Sequence, residues 1–462
     1  MKKDSLIILI ICIIHSLLFY ELKYGLNVLI FTIILLLYLL YEFKINNVKN
    51  KKGLLFMVPI LILSSTFYIY DNIFKEMNLL VIPGLYFLMY IFTINPTYNL
   101  KELIDRFVKV IIEPLGYMGN FYKEQKNSKK KEKNKIQNNK KIKAFLTVFP
   151  LIVVVLILLA SADIMFDKLL GNVTSFVKEL SIFNLIPRIV IILILFSYMG
   201  GQLYFLFNNL SKKEEINNSK KINIDSYTLK VLLTSLNVIY VIFDIIQIKG
   251  LLLHKLPSGI TYASYARRGF LQLVIISIIN MLVILITKFS DENKYNKHMS
   301  LTMVLLTLVI IASSFYRVYL YESAYGYTMA RLLVYIILIT QVIMFIPTVI
   351  YIFNSKVNII KWYMIIAICV YTGINLISFD KIIARNNIDR YYKTNKIDIE
   401  YLKNNYSDNI PLLVELYDNS DKSLKKELDE YFKYFKNNKI KDFREYNISK
   451  AKCIKEIEKI NN

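Results

Sequence analysis

The sequence predicts an all-α protein, a polytopic membrane helix bundle of about eleven transmembrane helices with a small helical soluble domain at its C-terminus. Hydrophobic residues make up 55% of the 462 residues, and the mean hydropathy is +0.42. Apolar stretches about as long as a bilayer is thick fill most of the chain before the last 80 or so residues. Backbone amides in lipid must bond within their own segment, so these stretches are expected to be helices.

Eleven spans are predicted from these stretches. They are Ser5–Tyr20, Leu26–Phe43, Gly53–Tyr70, Met77–Ile94, Ala144–Ala162, Ile189–Phe207, Val231–Ile248, Phe270–Ile286, Leu301–Tyr319, Leu332–Phe353 and Ile359–Phe379. The first has only 16 residues, so a count of ten stays open. No small-residue cleavage site follows it, and we interpret it as an uncleaved span.

Basic residues predict the orientation. The formal charge is +23, and with a cytoplasmic N-terminus the inner segments hold 29 Lys and Arg against about ten in the outer segments before the tail. The positive-inside rule therefore favours a cytoplasmic N-terminus and an extracytoplasmic tail. One miscounted span would instead place the tail in the cytoplasm. Heavy use of lysine, isoleucine and asparagine suggests an AT-rich bacterial genome, and thus a bacterial cell (plasma) membrane.

Four domains are predicted. Residues 1–99 form an N-terminal four-span unit, and residues 100–143 form an amphipathic helix with a basic cytoplasmic linker. Residues 144–379 form a seven-span unit, in which Met165–Leu180 is expected to lie flat on the membrane surface. Residues 380–462 form a helical soluble tail.

The patterning of the tail predicts two amphipathic helices. One begins near Pro411, and the other follows Leu424. The apolar residues that mark them are Ile410, Leu413, Leu416 and Tyr417 in the first, and Leu424, Leu428, Tyr431, Phe432 and Phe435 in the second.

Motifs of catalysis are not found in the sequence. It contains no phosphate-binding glycine loop, no zinc-binding His-Glu-x-x-His and no nucleophile elbow. The three cysteines are too far apart in sequence to suggest a metal site or a disulfide framework. We therefore predict no catalytic residues, no metal, no cofactor and no nucleic-acid partner. The lysine-dense stretch Lys123–Lys143 is interpreted as a topology signal and linker, with docking on anionic lipid as the alternative.

Arginine placement suggests a candidate site. Seven of the nine arginines fall at predicted outer span ends or just beyond the last span, and a guanidinium makes two-pronged contacts with carboxylate or phosphate that lysine does not. Two carboxylates are expected beside them. The candidate charge cluster or ligand-binding set is Asp244, Arg267, Arg268, Arg317, Glu322 and Arg331, with Arg188, Arg385 and Arg390 completing the pattern.

Two interpretations of this set are open. It could line an outward-facing cavity for an anionic solute or lipid headgroup. The structural interpretation, which we favour, is that Asp244 pairs with an arginine to lock helices while the other arginines extend to the interface.

Three local patterns resemble a known family. They are the stretch from Tyr262 to Phe270, the stretch Tyr325-Gly326-Tyr327-Thr328-Met329-Ala330-Arg331, and Asn387-Ile388-Asp389-Arg390-Tyr391 followed by Asp398 to Leu402, Asp408 and Pro411. Together they resemble the bacterial multi-pass membrane proteins of domain of unknown function 4173 and the related 4153 group, from about the fifth span to Leu416. The family usually has leucine where this chain has Tyr327. The resemblance implies an integral membrane protein of unassigned activity and raises interest in Arg267 and Arg331.

The functional prediction is a non-catalytic membrane component of an envelope-associated sensing or regulatory complex. Its partners would be the bilayer and a protein bound through the tail. The alternative is a binding or transport protein for an anionic solute or lipid headgroup that uses the arginine set.

Overall fold

A computed structural model describes the chain except for residues 131–184, 212–225, 252–269 and 288–293 and the short positions 1, 49, 72, 95, 355, 404–406, 421, 438–439, 441 and 461–462. In the described residues the regular elements are helices, with no strand among them. The all-α prediction is confirmed over this part of the chain. The fifth predicted span, the predicted surface helix Met165–Leu180, most of the lysine-dense stretch, Arg267 and Arg268 lie outside the described residues.

Sixteen α-helices are described. They are α1 Lys2–Phe19, α2 Leu26–Ile45, α3 Met57–Ile69, α4 Phe74–Ile94, α5 Leu100–Lys130, α6 Leu185–Ser211, α7 Ser226–Leu251, α8 Phe270–Ile286, α9 Lys294–Tyr325, α10 Met329–Phe353, α11 Ile359–Ile374, α12 Phe379–Thr394, α13 Ile399–Lys403, α14 Ile410–Asp418, α15 Lys422–Asn437 and α16 Ile448–Ile460. Short 3₁₀ helices occur at Lys52–Phe56, Ser407–Asn409 and Phe443–Glu445.

Seven helical segments in the described chain are long and apolar enough to cross a membrane. They are Leu26–Ile45, Lys52–Ile69, Phe74–Ile94, Pro187–Phe205, Ser226–Ile248, Lys294–Tyr325 and Met329–Phe353. Taken together, α11 and α12 are also long and apolar enough to form an eighth such segment, but they are bent by 59° at the break between them. α1 and α8 are apolar but shorter. The membrane class is therefore shown, whereas the count of about eleven spans is not confirmed.

The chain forms two compact units. The first consists of Met1–Tyr68, Leu80–Glu215 and Lys441–Tyr446. Its core lies between α1 and α6, where Ile8, Cys12 and Leu203 are buried. The buried Asn27 organises the α1–α2 connection, because its amide donates to the carbonyls of Leu18 and Lys23.

The second unit consists of Ile69–Leu79, Ile216–Ile440 and Asn447–Asn462. Its membrane part packs α7, α8, α9 and α10 around one apolar core. Its tail part packs α12 to α16 around a second core, in which Leu413 and Leu428 are fully buried. The two helices predicted in the tail are α14 and α15, and both contribute to this core as predicted. The four-domain division stays a prediction.

The tail core also includes residues of the membrane helices. Tyr327, Met329 and Leu332, at the junction of α9 and α10, pack against it. The junction residues 326–328 are called the α9–α10 connection below. The connection turns at Gly326, whose φ is +86°, a backbone conformation that side chains with a Cβ adopt at a cost.

Gly326→Ala is expected to destabilise the second unit by about 1–2 kcal/mol or more, because a left-handed turn is costly for alanine. An added Cβ would also lie 2.5 Å from Asn387 Oδ1. Thermal unfolding of the full chain in detergent measures the loss. Gly84→Ala in α4 is the matched control, since nothing lies within 4 Å of a Cβ there. Equal unfolding temperatures for the two variants would contradict the role of Gly326 in this turn.

Candidate functional site

Polar side chains join the membrane helices of the second unit. Tyr240 of α7 donates a hydrogen bond to Asn280 of α8 at 2.7 Å, and Asn280 donates to Thr307 of α9 at 2.9 Å. Ser277 of α8 donates to Gln341 of α10 at 2.8 Å. Asn280, Thr307 and Ser277 are fully buried. Such contacts commonly hold membrane helices together, at roughly 0.6–2 kcal/mol each.

Arg317 takes part in this interhelical bonding. Gln247 Oε1 of α7 accepts hydrogen bonds from Arg317 Nη2 at 2.7 Å and from Ser313 Oγ at 3.0 Å, both on α9. Arg317 is only 6% exposed. The guanidinium therefore links α7 to α9 through an amide acceptor.

Asp244 lies one helical turn before Gln247 on the buried face of α7 and is 5% exposed. Neither of its carboxyl oxygens has a hydrogen-bond partner among the described residues. Its predicted pairing with an arginine stays a prediction, because Arg267 and Arg268 fall in a part of the chain that is not described.

Arg331 and Glu322 lie around the α9–α10 connection. Arg331 donates to the carbonyl of Gly326, and its guanidinium stacks 4.1 Å above the ring of Tyr321. Glu322 is hydrogen-bonded to Tyr327 and lies close enough to Arg331 to interact with it electrostatically. Among the described members of the predicted set, Arg317 thus bonds α7, whereas Arg331 and Glu322 bond residues of the α9–α10 connection.

The tail binds the backbone of this same connection. Asn387 of α12 accepts a hydrogen bond from the amide of Tyr327 at 2.9 Å and donates to its carbonyl at 2.8 Å. Arg390, one turn later, donates to the carbonyl of Ala324 at 2.8 Å. Tyr401 Oη accepts from the amide of Met329 at 2.8 Å. Two of the three patterns that carried the family resemblance are therefore in direct contact.

A second polar cluster, which the sequence analysis missed, fastens the tail to the α3–α4 connection. We call it the carboxylate clamp, and its members are Asp71, Lys75, Ser378, Ser407, Asp408 and Ser449. Asp408, which is fully buried, accepts hydrogen bonds from the amide of Asp71 at 3.1 Å, from Ser378 Oγ at 2.7 Å and from Ser449 Oγ. These donors come from three separate parts of the chain, so one carboxylate holds them together.

Asp71 is the charged partner within the clamp. Its carboxylate bonds Lys75 Nζ at 2.9 Å and Ser407 Oγ at 2.6 Å, and Lys450 Nζ lies 3.7 Å away. Burial alone would raise the pKa of Asp71, but the two ammonium groups and the Ser407 hydroxyl outweigh it. The pKa of Asp71 therefore lies below its ordinary value, and the carboxylate is ionised at neutral pH.

The clamp adjoins the bend between α11 and α12. Asn78 of α4 donates to Asn375 at 2.7 Å and accepts from Tyr371 Oη at 2.8 Å, and both asparagines are fully buried. A third carboxylate, Asp380, is buried nearby and interacts with Asp408 and Asp71. Across the described residues, no three His, Cys, Asp or Glu side chains converge in a way that could hold a metal ion. The hydrogen bonds within this cluster are typical of a structural fastening.

Comparison with known families gives one match. A family model described as a domain of unknown function, DUF4153, matches residues 56–416. It starts well before the fifth predicted span, so it also covers α3, α4 and Asp71. The sequence patterns suggested the 4153 group as a relative of the 4173 group, and the match is to the 4153 group. The resemblance to the 4173 group stays a prediction. No curated protein and no solved structure matches.

Asp71→Asn is expected to lower the stability of the full chain at pH 7 by on the order of 3 kcal/mol, because it leaves Lys75 buried without its charged partner. Since the folded-state pKa of Asp71 lies below the unfolded value, its contribution is fully present above about pH 4 and is lost as the pH falls through the folded pKa. The difference between wild type and variant should therefore shrink on acidification.

Thermal unfolding in detergent at several pH values between 7 and 3 measures this difference. Glu400→Gln is the control, since Glu400 is an exposed tail carboxylate. A difference that stays constant over the whole pH range would contradict the role of the Asp71 charge.

Proposed function

Since the chain belongs to the DUF4153 family, we propose that it is a non-catalytic membrane component of an envelope-associated sensing or regulatory complex. In this proposal the tail binds a protein partner, and the membrane helices of the second unit respond to it. The observation that carries the proposal is the direct bonding of Asn387, Arg390 and Tyr401 to the backbone at the α9–α10 connection.

This bonding supports a coupling role. The tail bonds the backbone of Ala324, Tyr327 and Met329, where α9 and α10 meet. Arg331 donates to the carbonyl of the neighbouring Gly326 from α10. A partner that shifts α12 would therefore move the ends of two membrane helices. Coupling between a soluble part and the ends of membrane helices is what a sensing component requires.

The contacts of the tail also support a particular membrane topology. The tail contacts the α3–α4 connection and the α9–α10 connection, and it follows α11 directly. Basic-residue counting predicts that both connections and the end of α11 lie on the outer face. We therefore propose a multi-pass protein of the bacterial plasma membrane with a cytoplasmic N-terminus and an extracytoplasmic tail.

The alternative is that the arginines bind an anionic solute or lipid headgroup. One observation favours it: Arg390 donates to the backbone carbonyl of Ala324, which carries no charge to neutralise the guanidinium. A phosphate or carboxylate at this turn would supply that charge. We rank this function second because the carbonyl already occupies a donor that an anion would use.

Asn387→Ala combined with Arg390→Ala is expected to uncouple the tail from the α9–α10 connection. The chain should still insert in the membrane, while limited proteolysis cuts the tail faster and a partner that co-purifies stoichiometrically with the wild type is lost. Arg385→Ala is the matched control, since Arg385 is exposed on the same helix. If no stoichiometric partner co-purifies with the wild type, or if the double variant retains it, the sensing proposal is wrong.

The alternative predicts that inorganic phosphate, or phosphatidylglycerol in a nanodisc, raises the unfolding temperature of the wild type. Arg390→Gln should abolish that rise, and Arg385→Gln should keep it. An unfolding temperature that is unchanged by both additions would exclude anion binding at this turn.

A further inference from the structure

Helix α5 has two apolar faces. One is turned inward, and the other is left exposed. The sequence predicts an amphipathic helix with Leu103, Phe107, Ile111 and Leu115 on one stripe. In the structure Leu103, Phe107 and Ile111 are half-buried, whereas Leu115 is 53% exposed. The inward face is thus offset from the predicted stripe, and a second apolar face remains uncovered.

The inward face is held tightly against α6, which contains a candidate membrane span. Gln202 donates to the carbonyl of Val110 at 2.8 Å, and Tyr198 donates to that of Ile111 at 3.2 Å. A Cβ at Gly200 would overlap the ring of Phe121, so glycine permits the close approach of the two helices. Because α6 is a candidate membrane span, α5 stays within reach of the lipid.

The uncovered apolar face is a continuous stripe along the helix. It consists of Leu100, Ile104, Val108, Ile112 and Leu115, which are 52%, 54%, 45%, 57% and 53% exposed. These positions are three or four residues apart and therefore lie on one side of the helix.

A charged face runs beside this stripe over the same length. Lys101, Asp105, Lys109 and Glu113 follow one another at intervals of four residues. Lys109 pairs with Asp105 at 2.9 Å. The boundary between apolar and charged surface therefore runs along the helix axis for about 24 Å, at 1.5 Å per residue.

The direction of this boundary distinguishes a helix that crosses the bilayer from one that lies in the membrane surface. A helix that crosses a bilayer presents an apolar surface to the lipid, and its charged side chains lie at its ends or face the protein interior. Here a charge occurs in every turn, and each charge at the bilayer centre would cost about 2.5–3.5 kcal/mol. A boundary parallel to the axis is satisfied when the helix lies in the plane of the membrane surface.

We propose that residues 100–115 of α5 lie in the surface of the bilayer, with the stripe at Ile104, Val108 and Ile112 in the acyl chains and the charged face towards water. The partner of this surface is lipid. The sequence from Lys123 to Lys143 is rich in lysine, a composition that is attracted to anionic lipid headgroups.

The test uses the full chain in nanodiscs, with Cys12, Cys369 and Cys453 replaced by alanine. Single cysteines are introduced at Ile104, Val108 or Ile112 and, as matched controls on the same helix, at Asp105 or Lys109. A nitroxide label reports collisions with oxygen, which concentrates in lipid, and with a water-soluble nickel chelate. The unfolding temperature of each labelled variant is measured, and only folded variants are compared.

The expected result is that labels at Ile104, Val108 and Ile112 collide mainly with oxygen and sit at one common depth. Labels at Asp105 and Lys109 should collide mainly with the chelate. A depth that changes steadily from Ile104 to Ile112 would show a transverse helix and overturn the proposal. Low collision rates for both reagents on the stripe would show that another segment of the chain or a second copy covers it, which also overturns the proposal. Neither result bears on partner binding by the tail.

Discussion

The fold of the second unit depends on the hydrogen bonds that compensate the buried carboxylate of Asp408. Asp408 is fully buried, and burying a carboxyl group without hydrogen-bond partners is costly. The chain meets this constraint by bringing the amide of Asp71 and the hydroxyls of Ser378 and Ser449 to the same two oxygens. Each donor lies on a different part of the chain, so satisfying the carboxylate also fixes where the α3–α4 connection, the start of α12 and the start of α16 must meet.

Asp71 extends the same principle to a charge pair. Its carboxylate is held by Lys75 and Ser407 while its own amide serves Asp408. Removing one member of such a buried set leaves the others uncompensated, which costs far more than the net contribution of the intact pair. The α9–α10 connection follows a similar rule without a carboxylate, because Asn387 and Arg390 satisfy backbone groups that the turn leaves open. Both connections are thereby coupled to the tail.

The sequence predicted the parts of the fold that follow from local patterns. The spans in α2, α3, α4, α6, α7, α9 and α10 were found because a run of apolar residues is a property of a short segment. The tail helices α14 and α15 were found from the spacing of residues such as Leu413 and Leu428. The clamp could not be found in this way, because Asp71 and Asp408 are 337 residues apart and each looks like an ordinary loop carboxylate in its own segment.

The candidate site stays a prediction, because residue type alone does not determine which groups a side chain meets in the fold. The sequence pattern drew attention to Arg317, Arg331 and Arg390, and in the structure these guanidiniums donate to the side-chain amide of Gln247 and to the backbone carbonyls of Gly326 and Ala324. Residue type indicates that a guanidinium is needed, whereas its partner depends on tertiary geometry. Ser407, Asp408 and Asn409 directly precede α14, and residues of these types commonly cap helix N-termini, so no signal in this segment distinguishes the clamp from an ordinary cap.

The measurement that tests the central claim most directly is hydrogen–deuterium exchange of the full chain in nanodiscs, wild type against Asp408→Asn. If Asp408 holds the parts of the second unit together, the substitution should speed exchange jointly in peptides covering residues 69–79, 378–384 and 447–453. Exchange in α8, which contributes no residue to the clamp, should be unchanged. Faster exchange confined to the peptide that contains residue 408, or no change in residues 69–79, would contradict the account.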